Sequence, residues 1–376
     1  MGVEAIQMVD LRRQYERLRA EIDPAMRAVV EGSAFINGPA VKAFAASLSA
    51  YLGGAQVVTC GNGTDALQIA LMALDLKAGD EVIVPAFTYI AAAEAALLLG
   101  LTPVLVDVDP QSFNVDPAQL EAARSERTKA IVVVHLFGQC ADMAPIVRWA
   151  KQHQLRVIED NAQSFGATYR TAEGADVPAG LMGDIGTTSF FPSKPLACYG
   201  DGGALFTRDA ALAERARRIA SHGQSVKYHH TLVGCNSRLD TLQAAVLQVK
   251  LAHLAEFTAA RQTVAARYDA AFATLPDVRI PWRAPYSTHV YHQYTLQVPA
   301  DRRDAWQAAL KAKGIPSMIY YPLSLTEQVV MQGKARVVGA CPVARRLSRC
   351  VLSLPIHTEM REEEIETIIE SVKALR

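Results

Sequence analysis

Apolar residues in the first two-thirds of the chain come as short unbroken runs, each followed by a stretch with helical spacing. QVVTC (56–60) reads as a strand, and Thr64 to Leu74 then carries apolar residues at helical intervals. EVIVP (81–85) is the next strand, followed by an Ala/Leu-rich helix after Thr88. PVLVDVD (103–109), KAIVVVH (129–135) and RVIED (156–160) are further strands, with helices predicted near 117–124 and 142–153. TTSFF (187–191) and GALFT (203–207) close this part. The runs are continuous rather than alternating, so both faces of each strand are expected to be buried. Helices between such strands imply a mostly parallel sheet with right-handed crossovers.

The texture then changes. One long helical pattern runs from about Leu239 to Thr274. Tyr291 to Val298 alternates like a half-exposed strand, Arg302 to Lys313 is helical, and Glu362 to Leu375 is a terminal amphipathic helix. The expected architecture is a three-layer α/β/α large domain with a mostly parallel sheet over 1–250 and a smaller α+β domain over 251–376. No internal repeat or low-complexity segment interrupts it.

Composition narrows the class. The 376 residues are 50% hydrophobic and 20% charged, which is the balance of a folded chain rather than a disordered one. Lys+Arg and Asp+Glu both number 38, so no whole-chain charge favours nucleic acid or an anionic membrane. No apolar run reaches the roughly 18–20 residues that span a bilayer; Ala91 to Leu101 is too short and contains Glu94. The N-terminus has no apolar signal core, and the 6 cysteines are scattered without a C-x-x-C pair. A cytoplasmic protein is expected. His229 and His230 lack further liganding spacing, so no metal is expected.

In open α/β sheets ligands collect at the carboxyl ends of strands. After the first strand comes GNGTDAL (61–67), where Gly63, Thr64 and Asp65 open a helix. This is either a phosphate cradle or an ordinary tight turn with Thr64 as cap. Phe87 and Tyr89 follow the second strand, as ring-stacking aromatics or as core. RVIED ends in Glu159 and Asp160, followed by Asn161, Ala162 and Gln163. A carboxylate there serves a metal, a ribose, a protonated ring nitrogen or a helix cap. In SFFPSKPLACYGDGG (189–203), Lys194 sits in an apolar stretch with no acidic neighbour, and Pro195 biases it away from helix. A desolvated lysine loses basicity, and a neutral amine is what Schiff-base chemistry needs. Anion cradle, aromatic, strand-end carboxylate and desolvated lysine in one α/β unit are the parts of a pyridoxal phosphate site.

GNGTDAL, PAFTYIA, EDNAQSFGA, SFFPSK, YGDGGAL and GCNSRLDTLQAAVL, in that order, resemble the sugar-nucleotide aminotransferases of the DegT family, within the fold-type I pyridoxal phosphate enzymes. The resemblance runs from residue 35 to LSLPIH (352–357) and implies the aspartate aminotransferase-like fold. It implies pyridoxal 5′-phosphate as cofactor, with pyridoxamine 5′-phosphate as its intermediate form, and a homodimer whose sites the partner chain completes. By position it makes Lys194 the Schiff-base lysine and proton shuttle, Asp160 the partner of the ring nitrogen, and Gln163 a neighbour of the ring hydroxyl. Gly63, Thr64, the Asp65 backbone and Ser189 hold the phosphate, Asn236 reaches it from the other subunit, and Tyr89 stacks on the ring. Pro195 replaces the Asn that the family often has after the lysine.

SKPL and HGQ…YHH (222–230) resemble the subgroup acting on UDP-2-acetamido-2-deoxy-3-oxo-glucuronate, which implies amination at C3 with L-glutamate as donor, in surface-polysaccharide (lipopolysaccharide, O-antigen) biosynthesis. His222, Lys227, Tyr228, His229, His230 and Arg238 form a dense group of candidates for such an anionic substrate, or a surface or interface patch. Tyr320 and Tyr321 are further pocket candidates, or structural residues. A dTDP-linked 3-oxo-6-deoxyhexose or a 4-oxo sugar nucleotide is the alternative substrate. A pyridoxal phosphate-binding regulatory protein without turnover is the alternative of another class.

Overall fold

The apolar pattern marks no element before residue 56, yet the structure, a computed structural model describing residues 5–375, places two helices there. In α1 (Leu11–Glu31) the Asp10 side chain caps the start by accepting from the Arg13 N–H, and Pro24 lies inside the helix. Glycine and proline set the start of α2 (Pro39–Tyr51), with Pro39 at the first helical position. Strands and helices then alternate: β1 (Gln56–Cys60), α3 (Gly63–Ala73), β2 (Glu81–Pro85), α4 (Ala91–Leu98), β3 (Thr102–Val106), α5 (Leu120–Ala123), β4 (Thr128–Val134), α6 (Met143–Gln152) and β5 (Arg156–Asp160). A small hairpin of β6 (Thr168–Arg170) and β7 (Asp176–Pro178) leads to β8 (Ile185–Ser189), β9 (Gly203–Thr207) and α7 (Ala210–Ile219). A second hairpin, β10 (Gln224–Val226) with β11 (His229–His230), precedes α8 (Thr241–Ala252). The remainder is α9 (Leu254–Phe272), β12 (Tyr294–Gln297), α10 (Arg303–Ala312), β13 (Arg336–Val337), α11 (Pro342–Cys350), β14 (Val351–Leu354) and α12 (Glu362–Lys373).

The main sheet has 8 strands in the order β1-β9-β8-β5-β4-β2-β3-β13. Only β9 runs antiparallel to its neighbours, and every other adjacent pair in it is parallel. Alternate residues of the strands divide between two layers. Val82, Val84, Val132 and Ile158 pack with α3, α4 and α7, whereas Ile83, Val104, Ile131 and Val157 pack with α5 and α6. This is the expected three-layer α/β fold of type I. No helix among the described residues is long and apolar enough to cross a membrane.

Three expectations need correction. The helix expected over Leu239–Thr274 is two, because His253 (φ −97, ψ 2) breaks it between α8 and α9. The strand expected over 187–191 is β8, Ile185–Ser189; Phe190 leaves the ladder and packs edge-on against Phe44, 5.4 Å between ring centroids. The strand near 294 is not half exposed, since every residue of β12 is buried. Its apolar side joins Phe272, Leu310, Leu352 and Ile368 in a separate core. Its polar side is also covered: the Thr295 and Ser353 hydroxyls are 2.9 Å apart, and Gln297 Nε2 donates to the Pro110 carbonyl at 3.0 Å. The boundary expected at residue 250 lies inside α8, and α9 bridges the two cores, Leu254 packing with α2 and α8 while Val264 onward joins the C-terminal core.

Glu81, at the start of β2, has no exposed side-chain surface and ties the far edge of the sheet together. It accepts from Ser125 Oγ at 2.7 Å, Arg127 at 2.8 Å and Arg336 at 2.9 Å, joining β2, the entry to β4 and β13. Removing one partner of a buried ion pair strands the others. We expect Glu81→Ala to cost about 3 kcal/mol, the lower end for such a loss because both arginines keep a wet side. Urea unfolding of the variant beside the parent measures it.

Candidate active site

The carboxyl ends of β1, β2, β4, β5 and β8 open into one cavity of about 730 Å³, closed from the other side by His292, Gln293, Tyr320 and Tyr321. Period-two alternation at the end of β5 sends its two carboxylates opposite ways. Glu159 is fully buried in the protein: it accepts N–H groups from Gly180, Met182 and Gly183 at 3.0, 2.7 and 2.5 Å, and meets His135 Nε2 at 2.8 Å. The His135 Nδ1 accepts the Ala141 N–H at 3.1 Å, so the ring proton faces Glu159. Asp160 instead lines the cavity.

Asp160 and Lys194 share that cavity, and their charges act on each other. Burial pushes the Asp160 carboxyl above the usual carboxylate range, with the Ala162 N–H (3.1 Å) and the Lys194 charge working against it. Burial also lowers the Lys194 amine to about 8, and the Asp160 charge opposes the fall. The absence of an acidic neighbour of Lys194 in sequence is therefore made good in space. Lys194 sits on the connection from β8 to β9, held at both ends. Ser189 pairs with Gly203, the Phe190 N–H donates to the Gly202 carbonyl at 2.7 Å, and the Cys198 N–H donates to the Phe190 carbonyl at 2.8 Å.

The turn after β1 is a tight one and a cradle at once. Asn62, not Thr64, caps α3: its Oδ1 accepts the Asp65 N–H at 2.8 Å. The Asp65 amide expected to hold an anion is thus engaged, while the Gly63 and Thr64 amides have no protein acceptor among the described residues. A Cβ on Gly63 would lie 2.6 Å from the Ser189 Cβ, so only glycine lets the start of α3 approach the end of β8. The Thr64 and Ser189 hydroxyls complete a donor set suited to a phosphate. The Asp65 carboxylate turns away, accepting the Ser237 hydroxyl at 2.5 Å, and Ser237 Oγ accepts the Gly61 N–H at 2.8 Å.

Gln163 is anchored twice, its Oε1 accepting the Phe137 N–H at 2.8 Å and its Nε2 donating to the Tyr321 hydroxyl at 2.9 Å. One amide hydrogen remains for a ligand. Tyr89 stands 58% exposed at the rim, with its ring 6.1 Å from that of Tyr321.

Gly63, Thr64, Asp65, Tyr89, Asp160, Gln163, Ser189, Lys194, Tyr320 and Tyr321 thus come together on one cavity wall. The segment from 222 to 238 does not reach the cavity of its own chain. Lys227 lies over the exposed Tyr228 ring at 5.3 Å, His229 and His230 form β11, and the His222 carbonyl contacts His230 Nδ1 at 2.9 Å. Asn236 bridges Ser221 and is exposed, and Arg238 is partly exposed. Sequence reading missed Asn62, Ser193, Asp201, His292 and Gln293 on the wall and Ser237 behind it. Asn62 had a signal, an N-cap residue just before the helix. The parts present fit pyridoxal 5′-phosphate: an anion cradle, a carboxylate for a ring nitrogen, and an amine of lowered basicity.

A sequence model described as the DegT/DnrJ/EryC1/StrS aminotransferase family matches residues 16–373. The UDP-2-acetamido-2-deoxy-3-oxo-D-glucuronate aminotransferase of Pseudomonas aeruginosa is 45% identical over 364 residues, covering 96% of this chain and 98% of that protein. The dTDP-3-amino-3,4,6-trideoxy-alpha-D-glucose transaminase of Streptomyces venezuelae is 39% identical over 368 residues, covering 98% of this chain and 95% of that one. A crystal structure of a DegT DnrJ EryC1 StrS aminotransferase from Brucella abortus superposes with a TM-score of 0.93 at 40% identity, covering 98% of this chain and 99% of that chain.

The Lys194–Asp160 coupling has a direct readout. In the ligand-free protein, acylation of Lys194 by an amine-directed reagent should rise with pH through a midpoint near 8. Asp160→Asn removes the charge that favours the ammonium, so the midpoint should move lower. Peptide mass spectrometry of the modified lysine across pH checks both; a midpoint that stays put in the variant overturns the coupling.

Proposed function

This chain belongs to the DegT/DnrJ/EryC1/StrS aminotransferase family, and from that premise we propose that it transfers an amino group from L-glutamate to C3 of a UDP-linked 3-oxo-N-acetylglucuronate. The coarser statement stands without the proposal: it is a pyridoxal phosphate-dependent sugar-nucleotide aminotransferase. The observation that carries the chemistry is the meeting of the Lys194 amine and a strand-end carboxylate, Asp160, on the wall of one cavity, where burial lowers the amine's basicity. What supports the narrower substrate is the likeness to the Pseudomonas aeruginosa enzyme along nearly all of both chains.

Pyridoxal 5′-phosphate, when bound, supplies an electrophilic carbon and a ring that accepts the electron pair left when the donor's α-hydrogen departs as a proton. The chain's own residues do the rest. The Gly63 and Thr64 amides at the start of α3, with the Thr64 and Ser189 hydroxyls, would hold the phosphate. Asp160 would hold the proton on the ring nitrogen, and the spare amide hydrogen of Gln163 would orient the ring hydroxyl. Lys194 would hold the cofactor through its Nζ, and the freed amine would take the donor's α-proton and return a proton at C3 of the sugar. A lowered basicity suits that role, since near neutral pH the amine both takes and gives protons readily. The exposed 224–230 hairpin and Arg238, off the wall of their own cavity, are the parts we assign to the partner's site in a homodimer, where His222, Tyr228, His229, His230 and Arg238 would meet the substrate's anionic groups and Asn236 the phosphate.

Two outcomes test the reading. Lys194→Ala should lower turnover by more than about a thousandfold and remove the cofactor's lysine-bound absorbance; full activity in that variant overturns the mechanism. Assayed side by side, the UDP-linked uronate should exceed the dTDP-linked deoxyhexose in kcat/KM by about 10- to 100-fold, the worth of a charge-assisted contact to its carboxylate. Faster amination of the deoxyhexose replaces the substrate, and a cofactor that never converts with any donor–sugar pair replaces the enzyme by a binding protein.

A further inference from the structure

The charged side chains on the cavity wall are Asp65, Asp160, Asp201 and Lys194. With the Asp65 carboxylate turned away to the Ser237 hydroxyl, Asp160, Asp201 and the reacting lysine remain, a poor reception for a carboxylate. Yet an amino-acid donor brings a carboxylate on the same carbon whose hydrogen Lys194 must remove. On the chain's own wall, the groups left to hold it close to the reacting end are neutral donors.

His292 and Gln293 fit that need. Both line the cavity while being buried, 5% and 7% exposed. Their side-chain nitrogens, His292 Nε2 and Gln293 Nε2, stand 3.5 Å apart. That is too long for a good hydrogen bond between them, so each is left open to a third group. The other ring nitrogen, Nδ1, is sealed in the protein without a partner among the described residues. Backbone anchoring fixes the pair, the Gln293 N–H donating to the Phe137 carbonyl at 3.2 Å. Behind it lies Arg261 of α9, 3% exposed, which donates to the Tyr291 and Ile356 carbonyls at 3.4 and 3.0 Å; no carboxylate is recorded against it among the described residues. Burial, then the positive charges of Lys194 and Arg261, hold the His292 imidazole well below its ordinary value and therefore neutral. A buried guanidinium without a counter-ion leaves the field at that wall positive, which favours an anion there.

We propose that His292 and Gln293 form a two-pronged site for the α-carboxylate of the amino-acid donor, with Arg261 as the positioning charge behind it. His292 Nε2–H and the Gln293 amide each donate to a carboxylate oxygen, so the site works without a cation in contact. Because the imidazole stays neutral, it does not compete with Lys194 for the proton. The sugar nucleotide, arriving in the second half of the cycle, carries no carboxylate on its reacting carbon and leans on the pair far less.

The inference rests on the aminotransferase reading with an amino-acid donor, so the two halves of the cycle are measured separately on the cofactor-loaded enzyme. For His292→Phe and Gln293→Leu, the donor half-reaction with L-glutamate should lose about 10- to 100-fold in kcat/KM, the scale for hydrogen bonds to a charged group. The sugar half-reaction, started from the pyridoxamine form, should lose no more than about threefold. Titration with unreactive glutarate should show the same loss of affinity by calorimetry. His292→Asn, which keeps a donor, should recover part of it. Equal losses in both halves, or none, overturn the carboxylate site. Failure of the parent enzyme to react with any amino acid would instead overturn the reading on which it rests, and Gln293→Leu tests the site on its own if His292→Phe does not fold.

Discussion

Two opposite charges confined in one poorly solvated cavity set the terms for everything around them. Asp160 is unfavourable as a buried anion and Lys194 as a buried cation, and each eases the other's burden. The parallel ladder makes that meeting possible, since β5 and β8 are adjacent with Asp160 level with Thr187. The carboxylate ends one strand and the amine follows the other. Glu159, one residue earlier, shows how little freedom remains: its carboxylate is consumed by backbone amides and His135, which hold the 180–183 turn against the sheet. A slip of one residue in β5 would exchange a structural anchor for a reacting group.

Much of this was legible along the chain because strand-end chemistry is local. The Gly-rich turn after β1, the acids closing RVIED and the lysine before Pro195 each sit within a few residues of an apolar run, so the sheet's own logic points to them. Residues reached by the return of a distant segment left no such trace. His292 and Gln293 precede β12, and nothing in their spacing tells that this stretch crosses the mouth of a cavity whose other residues end about 90 positions earlier; Tyr320 and Tyr321, after α10, stood out as pocket candidates only beside a structural alternative. The paired short strands β10 and β11 are too brief for any apolar period. The exposure expected for β12 failed for a related reason: alternation reports one polar face, and a polar face buried against the Pro110 carbonyl reads the same as one facing water.

Overall neutrality conceals a division of charge. The cavity wall is acidic apart from its lysine, and cationic groups lie elsewhere: Arg261 behind the wall, and the 222–238 segment outside it. Under the proposed function this arrangement separates two tasks. The fixed wall serves proton transfer and a small donor, whereas a larger anionic substrate is met by groups brought from another surface.

The connection carrying Lys194 returns to the same end of the sheet from which it left, because β9 alone reverses direction beside β8. Both its roots are nailed down within the same two strands, through Ser189 opposite Gly203 and Phe190 bonded to residues 198 and 202. In mechanical terms the lysine is mounted on a bracket and not on a hinge. With its roots so fixed, the reach of the amine is that of a four-carbon arm rotating about an anchored mount.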